Sequence, residues 1–145
     1  MEPPMATEDD DRRDVLTLVD QEPATNRSRM QKLVLVGTRG QLICDVCHLA
    51  NRTHTRMRGV IGWRHLRRGE GILLRPTFSI HTAFVRFPID VVFLDPDLKV
   101  LSTAENMKPW RLAGYWGANS VLELPAGECR RLGVSAGDRL AWGQI

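Results

Sequence analysis

The chain has 145 residues, 43% of them hydrophobic, which is enough for one domain with a single core. No stretch approaches the roughly 18 consecutive apolar residues of a membrane span, and the first residues lack the basic and apolar regions of a signal peptide. The three cysteines are an odd number without the spacing of a disulfide framework. These features predict a cytoplasmic protein with no membrane partner.

The formal charge of +3 is unevenly distributed along the chain. Residues 1–31 hold eight acidic residues and four arginines, a net charge of −4, which leaves +7 for residues 32–145. The first segment is rich in acids and proline and has almost no apolar pattern. We therefore expect a disordered acidic tail over residues 1–31 and a single β-rich domain over residues 32–145.

The domain is distinctly basic, and its arginines are concentrated in one stretch. Between residues 52 and 86 there is a single acid, Glu70, and eight arginines: Arg52, Arg56, Arg58, Arg64, Arg67, Arg68, Arg75 and Arg86. Such a surplus is typical of a solvated surface, and it also suits an anionic partner.

The domain is predicted to open with a β-hairpin and a helix. Residues 32–36 and 41–47 have strand patterns on either side of a glycine-containing turn. The principal helix is expected over about residues 51–61, with Asn51 as N-cap and Gly62 as the C-terminal stop. The stripe expected to face the core is Thr53, Met57, Val60 and Ile61.

Gly59 lies inside this predicted helix. Glycine in a helix interior costs about 1 kcal/mol relative to alanine. Its presence therefore indicates that another backbone or a ligand approaches closely at this position.

The second half of the chain predicts further short strands. Residues 72–74 form a strand that ends at Pro76, and residues 89–94 form a buried strand with a return strand over 98–101. The remaining predicted elements are a strand at 121–124, a short helix near 126–132 that carries Glu128 outward, and a closing strand at 139–142.

Residues 107–119 are predicted to form a long loop rich in aromatic side chains, among them Trp110. Two interpretations stay open. The rings form a lid or wall over a pocket, or they cap one end of a barrel.

Asp90 is the unusual residue of the predicted buried strand. Its side chain shares a face with Val92 and Leu94, and a charge on an apolar face costs several kcal/mol unless it is paired or hydrogen-bonded. Arg86 is roughly 13 Å away along an extended strand. We therefore expect the partner of Asp90 to come from a bend or from the basic segment upstream.

Six segments in order resemble one family: Arg56 to Gly62, Gly69 to Leu74, Ser79 to Thr82, Phe87 to Asp95, Val121 to Gly127, and Gly137-Asp138. The sequence resembles the family called domain of unknown function 192 over nearly all of residues 33–142. The resemblance implies a mainly β fold, a small barrel or sandwich of antiparallel strands with one principal helix, found mainly in prokaryotes and without an established activity. His81 stands where many similar sequences have tryptophan.

Residues 44–48 read Cys-Asp-Val-Cys-His and match the C-x-x-C-H signature of covalent haem attachment. We reject haem because attachment needs an exported protein and this stretch alternates like a strand, with Cys44 and His48 on one face and Cys47 on the other. A zinc site would need His54 to converge with these residues. The sequence therefore predicts no metal and no cofactor.

Three functions remain open from the sequence. In the first, Arg58, His81 and Arg86 hold a small anionic ligand in a cleft beside Asp90, with Trp110 in the covering loop. Its structural alternative is an internal Arg58–Asp90 ion pair with no ligand.

The second function is a hydrolytic or other acid–base enzyme that uses His81 with Asp90 or Asp95, although lone histidines near strands are more often surface or satisfied core groups. The third is nucleic-acid binding, which is disfavoured because the arginine stretch lacks interleaved aromatics. We predict a ligand-binding or accessory module, as a monomer or homodimer.

Overall fold

The computed structural model describes residues 30–143. Residues 1–29 of the predicted acidic tail lie outside this range. Within it, the elements in chain order are β1 (Gln31–Val36), β2 (Leu42–Ala50), α1 (Thr53–Arg58), β3 (Glu70–Leu74), β4 (Ser79–His81), β5 (Ile89–Leu94), β6 (Val100–Met107), β7 (Leu112–Gly114), β8 (Ser120–Pro125), α2 (Glu128–Leu132) and β9 (Ala141–Gly143).

Seven strands form one sheet in the order β6-β5-β8-β3-β2-β1-β9, and β4 pairs with β7 in a separate two-stranded ribbon. The mainly β class is confirmed. Most pairs are antiparallel as predicted, but β2 and β3 are parallel. The reason is the connection over residues 51–69, which contains α1. It is long enough to carry the chain back to the end of the sheet where β2 begins, so that β3 runs in the same direction as β2.

The two ends of the sheet curl toward each other. Lys99, just before β6, and Arg139, just before β9, form an isolated bridge. The Val100 N–H donates to the Asp138 carbonyl at 2.7 Å, and the Leu140 N–H donates to the Leu98 carbonyl at 2.9 Å. The edge strands β6 and β9 do not pair with each other along their length, so the sheet is barrel-like but not closed.

Both faces of the sheet are covered, and this explains the uninterrupted apolar run of β5. All six residues of β5 are buried. One face contributes to an inner core that includes Leu35, Cys47, Leu73, Val92, Leu94 and Leu122. The other contributes to an outer core that includes Val60, Trp63, Ile72, Ile80, Val91 and Phe93. The predicted buried strand is confirmed.

The first helix is shorter than predicted. It ends at Gly59, whose φ of 49° places it outside the helical region and whose N–H donates to the Thr55 carbonyl. The predicted core stripe is also wrong, because Met57 is 71% exposed while Val60, which is buried, lies beyond the helix.

The second helix differs from its prediction in one side chain. Glu128 is buried, not directed outward. The Arg131 guanidinium donates two hydrogen bonds to its carboxylate, at 2.6 and 2.8 Å, and thereby supplies the partner that a buried charge requires.

Asp90 is completely buried at the start of β5. One carboxylate oxygen accepts the Asn106 N–H at 2.8 Å, and the other accepts the N–H groups of Gly127 and Cys129 at 3.0 and 2.9 Å. Asp90 therefore has the partner that its burial demands, and it comes from backbone amides instead of the upstream arginines.

We expect Asp90→Asn to lower the free energy of unfolding by about 2–4 kcal/mol, because an amide replaces one acceptor oxygen by a donor that faces backbone N–H groups. Urea unfolding followed by circular dichroism measures the change. Asp97→Asn, at an exposed turn position, is the matched control and should be close to neutral. Equal stability of the two variants would contradict the anchoring role of Asp90.

Candidate functional site

A cavity of about 430 Å³ lies between α1, the end of β3 and β4. Its size is within the range of small-molecule sites, roughly 300–1,000 Å³. It is lined by Thr53, Arg56, Met57, Arg58, Gly59, Leu74, Pro76, Thr77, Phe78, Ser79, Ile80, His81 and Glu123. Two segments, residues 53–59 and 74–81, and strand β8 of the main sheet therefore converge on it.

The short helix α1 forms the wall of the cavity opposite β4, and a hydrogen bond connects it to the other side. The Arg56 guanidinium donates to the Pro76 carbonyl at 2.9 Å, so α1 is joined to the segment that follows β3. Arg58, two residues further, is exposed and lines the cavity without an ion-pair partner among residues 30–143.

Glu123 reaches the cavity from β8 in the main sheet. Its neighbours across the sheet are Ile72 and Val91, which both belong to the outer core. A side chain on Gly59 would place its Cβ 3.1 Å from Oε2 and 3.2 Å from Oε1 of Glu123. The close approach that the sequence indicates at Gly59 is thus made by a carboxyl group.

The carboxyl of Glu123 is in an unusual environment. The residue is 3% exposed, and Oε2 has no hydrogen-bond partner among residues 30–143. Burial raises the pKa of Glu123 from 4.5 to about 8, and the Val60 backbone hydrogen bond offsets only part of this increase. Glu123 is consequently neutral near pH 7, and one of its buried oxygens has no hydrogen-bond partner among the described residues.

The structure distributes the five predicted binding residues over different places. Arg58 and His81 both line the cavity. Asp90 is outside the lining, with both oxygens occupied by backbone amides. Arg86 is exposed outside the lining as well. Trp110 is 61% exposed and packs its ring against Phe84, with centroids 4.7 Å apart.

The Arg58–Asp90 ion pair considered from the sequence is not formed among the described residues. His81 lines the cavity, whereas Asp90 does not. The carboxyl that accompanies Arg58 and His81 in the lining is that of Glu123.

The Cys44–His48 stretch also differs from its prediction. A bulge in the β1–β2 pairing, between the Leu33–Cys47 and Leu35–Cys44 partners, turns both cysteines into the inner core. The pKa of Cys47 is raised well above its ordinary range, mainly by a hydrogen bond with Cys44 and to a smaller extent by burial. His48 packs edge-on against Trp63 at 5.3 Å. Residues 30–143 contain no cluster of three metal-ligating side chains.

Sequence comparison assigns the chain to one family. The model of DUF192, described as Uncharacterized ACR, matches residues 35–142. The chain belongs to the domain of unknown function 192 family. A UPF0127 protein of Pyrococcus furiosus is 37% identical over 68 residues, which are 46% of this chain and 58% of that protein. A UPF0127 protein of Thermococcus sibiricus is 35% identical over 65 residues, 44% of this chain and 42% of that protein. The matches thus span about half the length of these relatives.

Two solved structures share the fold of this DUF192 domain. A protein of unknown function from Novosphingobium aromaticivorans has a TM-score of 0.68 at 24% identity, covering 78% of this chain and 85% of that one. A protein from Sinorhizobium meliloti, described as a proposed transcription regulator, has a TM-score of 0.68 at 26% identity, covering 77% and 92%. In the range 30–143 no helix has the length and apolar character to cross a bilayer.

Glu123 is the site residue of this DUF192 domain that the sequence argument missed. The signal was present, because Glu123 interrupts the apolar strand Val121-Leu122-Glu123-Leu124 just as Asp90 interrupts β5. Both carboxyl groups lie in buried strands, where each requires a hydrogen-bond partner.

The raised pKa of Glu123 predicts how stability depends on pH. Folded protein keeps the Glu123 proton up to about pH 8, whereas the unfolded chain loses it near pH 4.5, so this group lowers stability as the pH rises through that window. Glu123→Gln removes the effect. We expect its stability relative to wild type to rise by up to about 4 kcal/mol between about pH 5 and about pH 9.

Urea unfolding at several pH values measures this difference. Glu105→Gln, at an exposed position of β6, is the matched control and should follow the wild-type pH dependence. A Glu123→Gln curve parallel to wild type would show that Glu123 titrates normally.

Proposed function

We propose that this DUF192 domain binds a small anionic molecule with an apolar part in the cavity between α1 and β4. The observation that carries the proposal is the carboxyl of Glu123, which lines this cavity, is almost fully buried and has an oxygen without a hydrogen-bond partner among the described residues. A buried polar atom without a partner costs about 1–3 kcal/mol. A polar ligand atom next to Oε2 removes that cost.

The side chains around Glu123 favour a negative charge on the ligand. Arg56, Arg58 and His81 line the same cavity, and among residues 30–143 Glu123 is the only acidic residue in the lining. Because burial raises the Glu123 pKa to about 8, the carboxyl is neutral near pH 7 and is able to donate a hydrogen bond to an anion. The lining therefore presents donors and positive charge without an opposing carboxylate.

The rest of the lining is apolar. Leu74 and Ile80 are buried beneath the cavity, while Met57 is 71% and Phe78 is 50% exposed at its margin. A ligand with an aliphatic or aromatic portion covers this surface and gains the hydrophobic contribution of roughly 25 cal/mol per Å² removed from water. A short-chain or aromatic monocarboxylate combines both requirements.

Thermal unfolding in the presence of monocarboxylates, from butyrate to phenylacetate, tests the proposal with inorganic phosphate as a purely polar comparison. A ligand that binds only the folded state raises the Tm, and the rise grows with concentration. We expect monocarboxylates to raise the Tm of wild type and to lose about tenfold in affinity with Arg58→Ala or His81→Ala. Arg130→Ala, an exposed arginine of α2, is the matched control.

The pH dependence separates this site from general anion binding. Wild-type affinity should fall as the pH rises past about 8, because an ionised Glu123 repels the ligand and no longer donates. Glu123→Gln keeps an N–H donor and should bind independently of pH in this range. No Tm rise with any monocarboxylate, or an equal loss in Arg130→Ala, would contradict the proposal.

An acid–base enzyme is the second candidate, and the observation that favours it is the presence of His81 and Glu123 in one cavity. A carboxyl with a raised pKa is suited to donate a proton as a general acid, and histidine is the side chain whose ordinary pKa lies closest to neutrality. Turnover of ester or phosphomonoester substrates that Glu123→Gln abolishes, while binding is kept, would favour the enzyme over the binding module.

A further inference from the structure

The ribbon formed by β4 and β7 carries an unusual number of exposed apolar side chains. Leu112 is 80% exposed, and the aromatic residues near it are exposed to similar extents: Phe78 at 50%, Phe84 at 68%, Trp110 at 61% and Trp116 at 88%. We call residues 78–86 and 108–116 the aromatic ribbon. Exposed apolar side chains grouped in this way mark places where a protein meets another phase or partner.

The rings are arranged in pairs at the two ends of the ribbon. Phe84 follows β4 and Trp110 precedes β7, and their rings meet edge to face at 4.7 Å. Phe78 precedes β4 and Trp116 follows β7, and these rings meet edge to face at 5.8 Å. On the strands between them, the exposed His81 is opposite Leu112.

Thr82 fixes the two arms of the ribbon against each other. Its hydroxyl donates to the Lys108 carbonyl at 2.7 Å and accepts the Arg111 N–H at 2.8 Å. Its carbonyl accepts the Trp110 N–H at 3.0 Å. Phe84 and Trp110 both have a φ of 63°, a left-handed conformation that costs roughly 1–2 kcal/mol for such residues. The fold thus holds two exposed rings in place at a cost in stability.

The charged side chains of the aromatic ribbon itself have one sign. Arg86, Lys108 and Arg111 are exposed on the aromatic ribbon, and residues 71–89 and 106–122 contain no aspartate or glutamate. A second copy of the chain would bring the same positive charge to the contact. Single-stranded nucleic acid stacks its bases on free aromatic faces. Here each edge-to-face contact covers a ring face, and Leu112, between the two ring pairs, has no π-face on which a base could stack.

We propose that the aromatic ribbon docks on the surface of an anionic lipid bilayer, with its aromatic and leucine side chains at the level of the headgroups and Arg86, Lys108 and Arg111 facing lipid phosphates. Tryptophan favours the membrane–water interface, and each lysine or arginine near an anionic surface contributes about 1 kcal/mol. The expectation of no membrane partner rests on the lack of a spanning segment, which peripheral docking does not require. The docking does not require the ligand proposed for the cavity, although Phe78 and His81 belong to both surfaces.

Co-sedimentation of the full chain with vesicles tests the proposal. The two preparations are phosphatidylcholine alone and phosphatidylcholine with about one third phosphatidylserine. We expect binding to the anionic vesicles only, weakening as salt is added. Reversing two charges in the double variant Lys108→Glu/Arg111→Glu should reduce binding by roughly tenfold or more. The double variant Arg130→Glu/Arg139→Glu changes the net charge equally at exposed positions outside the ribbon and should reduce it much less.

The apolar contribution has its own matched pair of variants. Trp116→Ala should weaken vesicle binding, while Trp142→Ala, which removes an exposed tryptophan from β9, should not. All these side chains are exposed, so circular dichroism and the Tm are expected to stay near wild type and to show that each variant is folded.

Three results would overturn the proposal. One is a folded wild-type protein that fails to bind anionic vesicles at low salt. Another is an equal loss of binding in the ribbon and control variants. The third is ribbon-dependent binding of a poly-deoxythymidine strand, or ribbon-dependent dimerisation, by a protein that does not bind vesicles.

Discussion

The carboxylate of Asp90 joins three parts of the chain that are distant in sequence. It lies at the start of the fully buried strand β5 and accepts backbone N–H groups from the end of β6 and from the beginning of α2. A completely buried charge is tolerated only when its hydrogen-bonding capacity is met. The Asp90 carboxylate therefore holds α2 in position and supports the left-handed conformation of Asn106 within β6.

Glu123 is the counterpart of Asp90 one strand away, and the two carboxyl groups differ in their partners. Leu124, next to Glu123, is opposite Asp90 in the β5–β8 pairing. Asp90 receives three amide hydrogen bonds, whereas Glu123 has an oxygen with no partner among residues 30–143 and an elevated pKa. A satisfied buried carboxylate stabilises a fold, while an unsatisfied one costs stability and is therefore the better indication of a site.

The sequence predicted those elements whose local pattern agrees with their tertiary surroundings. The β1–β2 hairpin and β5 follow from apolar periodicity and turn residues, and the need of Asp90 for a partner follows from burial alone. The partner itself could not be predicted, because it consists of backbone N–H groups, which every residue except proline carries and which the side-chain sequence therefore does not distinguish. The β4–β7 ribbon was missed since its strands have three residues each and pair across a separation that no local signal reports.

The same limit applies to the candidate site. Arg58 and His81 were selected from the sequence because their chemistry stands out, and both line the cavity. Glu123 was passed over although its strand was predicted, and the bulge that turns Cys44 and Cys47 to one face shifts the strand alternation by one residue. Register of this kind is set by pairing with β1 and is not encoded in the five residues of the motif.

The order of strands in the main sheet also bears on how the chain reaches its folded state. The β1–β2 and β5–β6 pairs are hairpins between neighbours in sequence, whereas the two halves of the sheet are joined along its length where β3 meets β8, with Ile72 opposite Glu123. The entropy of closing that large loop must be lost before its contacts form. The strand that carries Glu123 is therefore the place where two hairpins of neighbouring strands become one continuous sheet.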